Sequence, residues 1–111
     1  ISLQPRDATI VLSRASMYFN KGDLDRALAD YTTAISLNPS FAMAYKNRAE
    51  VYEARGDLDR AILDYGQAIR AQPNFAAALY ERGVARRLKD ETAAGEADIA
   101  AARKLDPDIG R

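Results

Sequence analysis

Gly22-Asp23-Leu24-Asp25-Arg26-Ala27 returns unchanged as Gly56-Asp57-Leu58-Asp59-Arg60-Ala61, a spacing of 34 residues (22 to 56). A period of that size is one helix–turn–helix unit, too small to bury its own apolar face. Copies must therefore stack on one another rather than close around one centre. On the same period Tyr18 falls on Tyr52, Tyr31 on Tyr65, Ala34-Ile35 on Ala68-Ile69, and Pro39 on Pro73 and Pro107. A third copy is weaker: it keeps Ala102 and Asp106-Pro107 but has Asp90 at the glycine position, Arg86 at the tyrosine and Gly95 at the alanine. Degeneration of this kind is expected of an end repeat.

Composition narrows the chemistry. The chain contains no Cys, His or Trp, which removes disulfides, thiolate metal sites, the cysteine nucleophile, the usual general base and the commonest metal ligand. The carboxylate pairs Asp23/Asp25 and Asp57/Asp59 stand at helix starts, where the helix dipole favours them for structural reasons. With no Gly-rich phosphate loop either, a non-catalytic protein without cofactor or metal is expected. Sixteen basic residues balance sixteen acidic ones, which argues against binding to nucleic acid or anionic membrane driven by counterion release. No apolar run approaches the ~20 residues of a membrane span. Nothing fixes a compartment, and both cytoplasm and periplasm stay open.

Apolar residues such as Ala27, Tyr31, Ala34 and Ile35 recur at three- and four-residue steps, which is helical spacing. Helices are expected over residues 8–21, 24–37, 42–55, 58–71, 76–89 and 92–105. Gly22 and Gly56 suit the left-handed residue that closes a helix, and Asp23 and Asp57 follow as N-caps. Asp tolerates that conformation better than most non-glycine residues, so the turn at Asp90 should survive. Pro39, Pro73 and Pro107 stop each second helix, and Ser40 and Asn74 are expected to cap the helices that follow.

The middle copy, with Tyr45, Ala49, Tyr52, Gly56, Ala61, Tyr65, Ala68 and Pro73, resembles the tetratricopeptide repeat, and the resemblance covers about the whole chain. It implies an all-α, right-handed superhelical solenoid of three antiparallel helix-turn-helix hairpins. The repeats would span 8–41, 42–75 and 76–111, the last degenerate and capping. Val11 and Leu79 stand where the family's bulky aromatic is usual, and Arg14, Arg48 and Arg82 where it more often has leucine. The style of the repeats is similar to that of bacterial members.

Those arginines are matched by Asp30, Asp64 and Asp98 on the same period. One Arg on each first helix and one Asp on each second helix suggest ion pairs across each hairpin, since buried charges need partners. The alternative, a row of guanidinium groups aimed at an acidic ligand, is opposed by the aspartates that would neutralise it.

The two ends differ. Ile1-Ser2-Leu3-Gln4-Pro5 aligns one period upstream of Ile35-Ser36-Leu37-Asn38-Pro39, so residues 1–7 are expected to be the tail of a preceding truncated repeat, and the chain a fragment or processed form. At the other end Leu28 and Ile35, then Ile62 and Ile69, become Glu96 and Arg103. Burying one such isoleucine is worth roughly 1.5–3 kcal/mol, so charge at this face opposes further stacking. The N-terminal edge lacks that protection and would offer an apolar face for a homodimer.

The resemblance also implies that first helices line a concave groove that holds peptide segments. The positions it carries over are Leu12, Ser16, Phe19 and Asn20; Lys46, Asn47, Glu50 and Glu53; and Tyr80, Glu81, Val84, Arg87 and Leu88. An apolar strip of Tyr80, Val84 and Leu88 should flank a polar, mixed-charge centre. Family members that capture acidic chaperone tails use a clamp of Lys and Asn, then Asn, then Lys and Arg. Here those places hold Leu12 and Ser16, Asn47, then Ala77 and Glu81, so the chaperone-tail function is rejected. The expected role is a scaffold that binds a peptide segment of a protein partner. Self-association, or service as a regulatory segment of a larger enzyme or assembly protein, is the alternative.

Overall fold

The structure, a computed structural model, describes residues 7–110; the expected tail of an earlier repeat falls almost entirely outside them. Six helices follow in order: α1 (Ala8–Asn20), α2 (Leu24–Leu37), α3 (Ala42–Ala54), α4 (Leu58–Ala71), α5 (Ala76–Leu88) and α6 (Thr92–Leu105). The second helix of each hairpin has the bounds expected from sequence. Each first helix ends one residue sooner, because the chain tightens there. The Gly22 N–H bonds Phe19 O at 3.0 Å and the Asp23 N–H reaches back to Tyr18 O at 2.9 Å, which closes the helix through a left-handed residue. Gly22, Gly56 and Asp90 all have positive φ, at 83°, 81° and 66°.

Asp23 and Asp57 cap α2 and α4 by accepting the Arg26 and Arg60 backbone N–H groups. The expected caps Ser40 and Asn74 do not act as such. Phe41 and Phe75 occupy the N-cap positions and make no side-chain cap bond. Their rings pack against the core instead, and Ser40 gives its N–H to Asn38 Oδ1 at 3.2 Å. Burial of an aromatic ring thus takes precedence over one capping bond, which is worth only about 1 kcal/mol.

Buried residues gather in three clusters along an array measuring 47 × 26 × 22 Å. Ala15, Ala27, Tyr31 and Val51 form one; Ala49, Ala61, Tyr65, Ala68, Ala78 and Ala85 form another. Small residues let helix axes approach, and the two tyrosines fill the space left between hairpins. Leu28 and Ile35 lie in the seam with α3, and Ile62 and Ile69 in the seam with α5. Their counterparts Glu96 and Arg103 are exposed, with Glu96 3.5 Å from Arg87.

The periodic Arg–Asp pairs form, each within one hairpin. Arg14, Arg48 and Arg82 grip Asp30, Asp64 and Asp98 through two nitrogens at 2.7–2.9 Å. Bidentate geometry offsets the cost of burying the aspartates. Each fork is spent on its own Asp, so the row of guanidinium groups is not presented to a ligand. In the third hairpin Arg86, standing where the other copies have tyrosine, adds a further bond to Asp98 at 2.9 Å.

That hairpin is also the most closely approached. Gly83 and Gly95 face each other where the earlier copies carry Ala49/Ala61 and Ala15/Ala27. A methyl added at Gly95 would lie 2.6 Å from the Gly83 carbonyl oxygen, and one at Gly83 would lie 2.7 Å from that of Gly95. What reads in sequence as decay of the repeat is a matched pair.

Candidate functional site

Tyr31 and Tyr65 come from the second helices but end among the first. The Tyr31 hydroxyl lies 2.8 Å from Ser16 Oγ on α1, and the Tyr65 hydroxyl donates to Glu53 Oε1 on α3 at 2.7 Å. Both rings are buried, and a buried phenol must find a partner. This requirement anchors the wall made by α1, α3 and α5. The repeat of Tyr31 at Tyr65 is the sequence signal for this anchoring, but the pattern alone does not show that the hydroxyls reach the wall. The third copy has Ile99 at this place and supplies no hydroxyl.

At the centre of the wall Lys46 sits between two carboxylates. Its Nζ donates to Glu50 Oε2 at 3.0 Å along α3 and lies 3.4 Å from Glu81 Oε2 on α5. The second contact is close enough for charge attraction but not aligned as a hydrogen bond: Glu81 Oε2 is shut off from solvent and accepts none. Burial pulls the Lys46 ammonium down, but the bond to Glu50 and the charges of Glu81 and Glu50 outweigh it and hold the pKa above the usual lysine value. Burial, reinforced by neighbouring Glu50, pushes Glu81 up to about 8, against the opposing pull of Lys46. Burial likewise raises Glu53, opposed by the Tyr65 bond. Burial raises both phenols as well, and the bond to Glu53 adds to the shift at Tyr65. One lysine thus serves Glu50 and Glu81 while Glu53 holds the Tyr65 hydroxyl, and Glu81 holds a proton at neutral pH.

Toward the end of the array Tyr80, Val84, Arg87 and Leu88 line a depression of about 420 Å³. Leu88 is 65% exposed there, while Arg87 is drawn toward Glu96 of α6. The turn after α6 backs onto the same tyrosine, with Gly110 against its ring. Of the remaining positions, Asn47 is half-buried beside the Tyr31 hydroxyl. Leu12 and Phe19 lean into the core with Ala15 and Val51, and Asn20 stands exposed at the end of α1. The structure therefore joins Lys46, Glu50, Glu53 and Glu81 into one charged centre and Tyr80, Val84, Arg87 and Leu88 into one depression. Asn20 belongs to neither.

A tetratricopeptide repeat model matches residues 12–73 and again 54–108. The chain belongs to the tetratricopeptide repeat family. No curated protein matches it, but solved TPR structures do. The TPR2B domain of yeast Sti1, in a complex with an Hsp70 peptide, is 30% identical with a TM-score of 0.88, and the match covers 94% of this chain and 83% of that one. The first TPR of Spaghetti (RPAP3), bound to the HSP90 peptide SRMEEVD, superposes with a TM-score of 0.93 at 23% identity over 99% of this chain and 87% of that chain. MamA, at 26% identity and a TM-score of 0.86, matches 90% of this chain, which spans 58% of MamA's length. The TPR architecture is thereby shown, as an all-α solenoid of helical hairpins; among the described residues no helix is long and apolar enough to cross a membrane.

Proposed function

We propose that this TPR array is a non-catalytic interaction module that binds a peptide segment of a protein partner along the wall of α1, α3 and α5. The observation that carries the reading is the joining, on that one wall, of a half-buried charged centre and an apolar depression. Polar groups that fix orientation beside apolar surface that supplies affinity are what a peptide site needs. Related TPR structures holding chaperone peptides support the class of ligand. They do not carry over its identity, because Leu12, Ser16, Ala77 and Glu81 stand where a carboxylate clamp needs cations and amides.

The test is peptide selection by display on the intact protein, followed by mapping of amide shifts with the selected peptides. Perturbations should concentrate on 12–20, 46–53 and 80–88, and Leu88→Ser combined with Asn47→Ala should weaken binding at unchanged helicity. Selected peptides that perturb α2, α4 and α6 instead, and bind the double variant equally, would overturn the reading. A second reading, self-association through the N-terminal edge, is favoured by Ile10 and Met17, which are 70% and 59% exposed. They hold the register of Ala44 and Val51, which are buried in the next seam. Light scattering across a concentration series, with Met17→Glu as the control, separates the two.

A further inference from the structure

We infer that the segment this wall receives is cationic: a Lys or Arg side chain enters beside Glu50, Glu53 and Glu81 while an apolar side chain about three residues away fills the depression of Tyr80, Val84 and Leu88. The inference rests on the groove reading above and specifies its ligand. Charge complementarity carries it. With Glu81 protonated, Glu50, Glu53 and Lys46 leave a formal charge of −1 (−2 + 1) at the centre of the wall at neutral pH, which becomes −2 (−3 + 1) once Glu81 gives up its proton, and Lys46 is already engaged at 3.0 and 3.4 Å. The nearby Arg87 does not correct the balance, because it pairs with Glu96. An incoming carboxylate would meet this excess of like charge in a partly desolvated place, whereas a guanidinium meets the part of the Glu50 and Glu81 side chains that still faces solvent, 27% and 30%.

Helix geometry sets the spacing. Glu81 and Leu88 are seven residues apart on α5, about 10 Å along the axis at ~1.5 Å per residue. A peptide in the polyproline II conformation, at ~3.1 Å and a third of a turn per residue, covers that distance in about three residues with both side chains on the same face. A segment of the form Arg-x-x-Leu spans both features.

The groups around Glu81 give the inference a second readout. Lys46 and Glu50 face it from α3 and Tyr65, which also borders Glu53, from α4, and Tyr31 on α2 borders Lys46 and Glu50. Since Glu81 holds its proton up to about pH 8, a bound cation displaces it. Binding of an arginine peptide is then linked to proton release and tightens as pH rises.

The probe is an acetylated, amidated peptide carrying one Arg-x-x-Leu in a Ser/Ala background, compared with the same peptide bearing Glu-x-x-Leu and with the acidic peptide SRMEEVD, each titrated into the isotopically labelled protein. The arginine peptide should shift amides over 46–53 and 80–88 and bind roughly tenfold or more tightly than either acidic peptide. Its affinity should rise roughly tenfold between pH 6.5 and 9, and Glu81→Gln should flatten that rise. Acidic peptides that bind the same wall as well as the arginine peptide would overturn the inference and leave the groove standing. Arginine-peptide shifts confined to α2, α4 or α6 would overturn both.

Discussion

Gly95→Ala tests the packing of the third hairpin most directly, because repeat consensus and geometry give opposite answers. The first two hairpins carry alanine at this position, Ala27 and Ala61, so consensus reads Gly95→Ala as a repair. Helix propensity agrees, adding roughly 0.8–1 kcal/mol for alanine over glycine. The structure says otherwise. The new methyl would lie 2.6 Å from the Gly83 carbonyl oxygen, 2.8 Å from Arg87 Cγ and 3.1 Å from the Arg87 nitrogen. A normal carbon–oxygen contact is about 3.3 Å or longer, so α5 and α6 must part by roughly 0.7 Å. Two of those three neighbours are backbone and cannot swing aside. Overpacking of this kind costs about 1–3 kcal/mol. Separation would also stretch the bonds from Arg82 and Arg86 to Asp98, one turn along α6 and now at 2.8–2.9 Å. The net expectation is a loss of about 1–2 kcal/mol. Gly66→Ala on α4 is the control, since its methyl would meet only Arg82 Nη1 at 3.8 Å and should gain up to about 0.8 kcal/mol. The two substitutions should separate in melting temperature by roughly 8–12 °C, followed by circular dichroism. Hydrogen exchange in α6 would locate the change, as stacked repeats need not unfold as one. Gly95→Ala melting at or above the parent protein would refute the close-approach argument.

Other expectations follow from the ion pairs, the turns and the buried carboxylate. Asp64→Ala strands the half-buried Arg48 and should cost about 3 kcal/mol in urea titrations; Asp30→Ala should cost clearly less, because the Arg14 it strands is 62% exposed. Asp90→Gly relieves a non-glycine residue at φ 66° and should raise stability by about 0.5–1 kcal/mol, whereas Gly56→Ala, at φ 81°, should lower it by about 1 kcal/mol. Glu81 has a folded-state pKa raised to about 8, well above its unfolded value near 4.3. The folded chain therefore binds the extra proton between those limits, and Glu81's contribution to stability is full below about pH 4 and lost as pH rises through 8. Melting temperature should fall over that window, and Glu81→Gln should flatten the slope; an unchanged slope would remove Glu81 as its source.

Much of this architecture was legible because it depends on residues that answer to their own repeat. Gly22, Gly56 and the prolines act on the local backbone, and Arg48 finds Asp64 within one hairpin, so a period of 34 exposed both kinds of relation. What escaped depends on pairs. Gly95 looked like decay because its meaning lies in Gly83 opposite. Ser40 and Asn74 looked like caps because the burial of Phe41 and Phe75 is settled by the seam between hairpins, not by the loop. The candidate wall shows the same division: its members could be named one helix at a time, but Lys46 meets Glu81 across a seam, 35 residues away (46 to 81). No single repeat contains that relation, and so neither the proton that Glu81 keeps nor the excess of negative charge could be read from one.

Beyond the apolar seams, successive hairpins are also joined at their turn-side rim by Arg55 to Asp25 at 3.2 Å and by Lys89 to Asp59, again one period apart. These pairs sit in water, on the edge farthest in sequence from the proline loops. They act as laces along one border of a curved strip: loosening them with salt should let the strip flex about its apolar seams without unzipping any hairpin. Bending stiffness and melting temperature would then respond differently to ionic strength, the first softening well before the second moves.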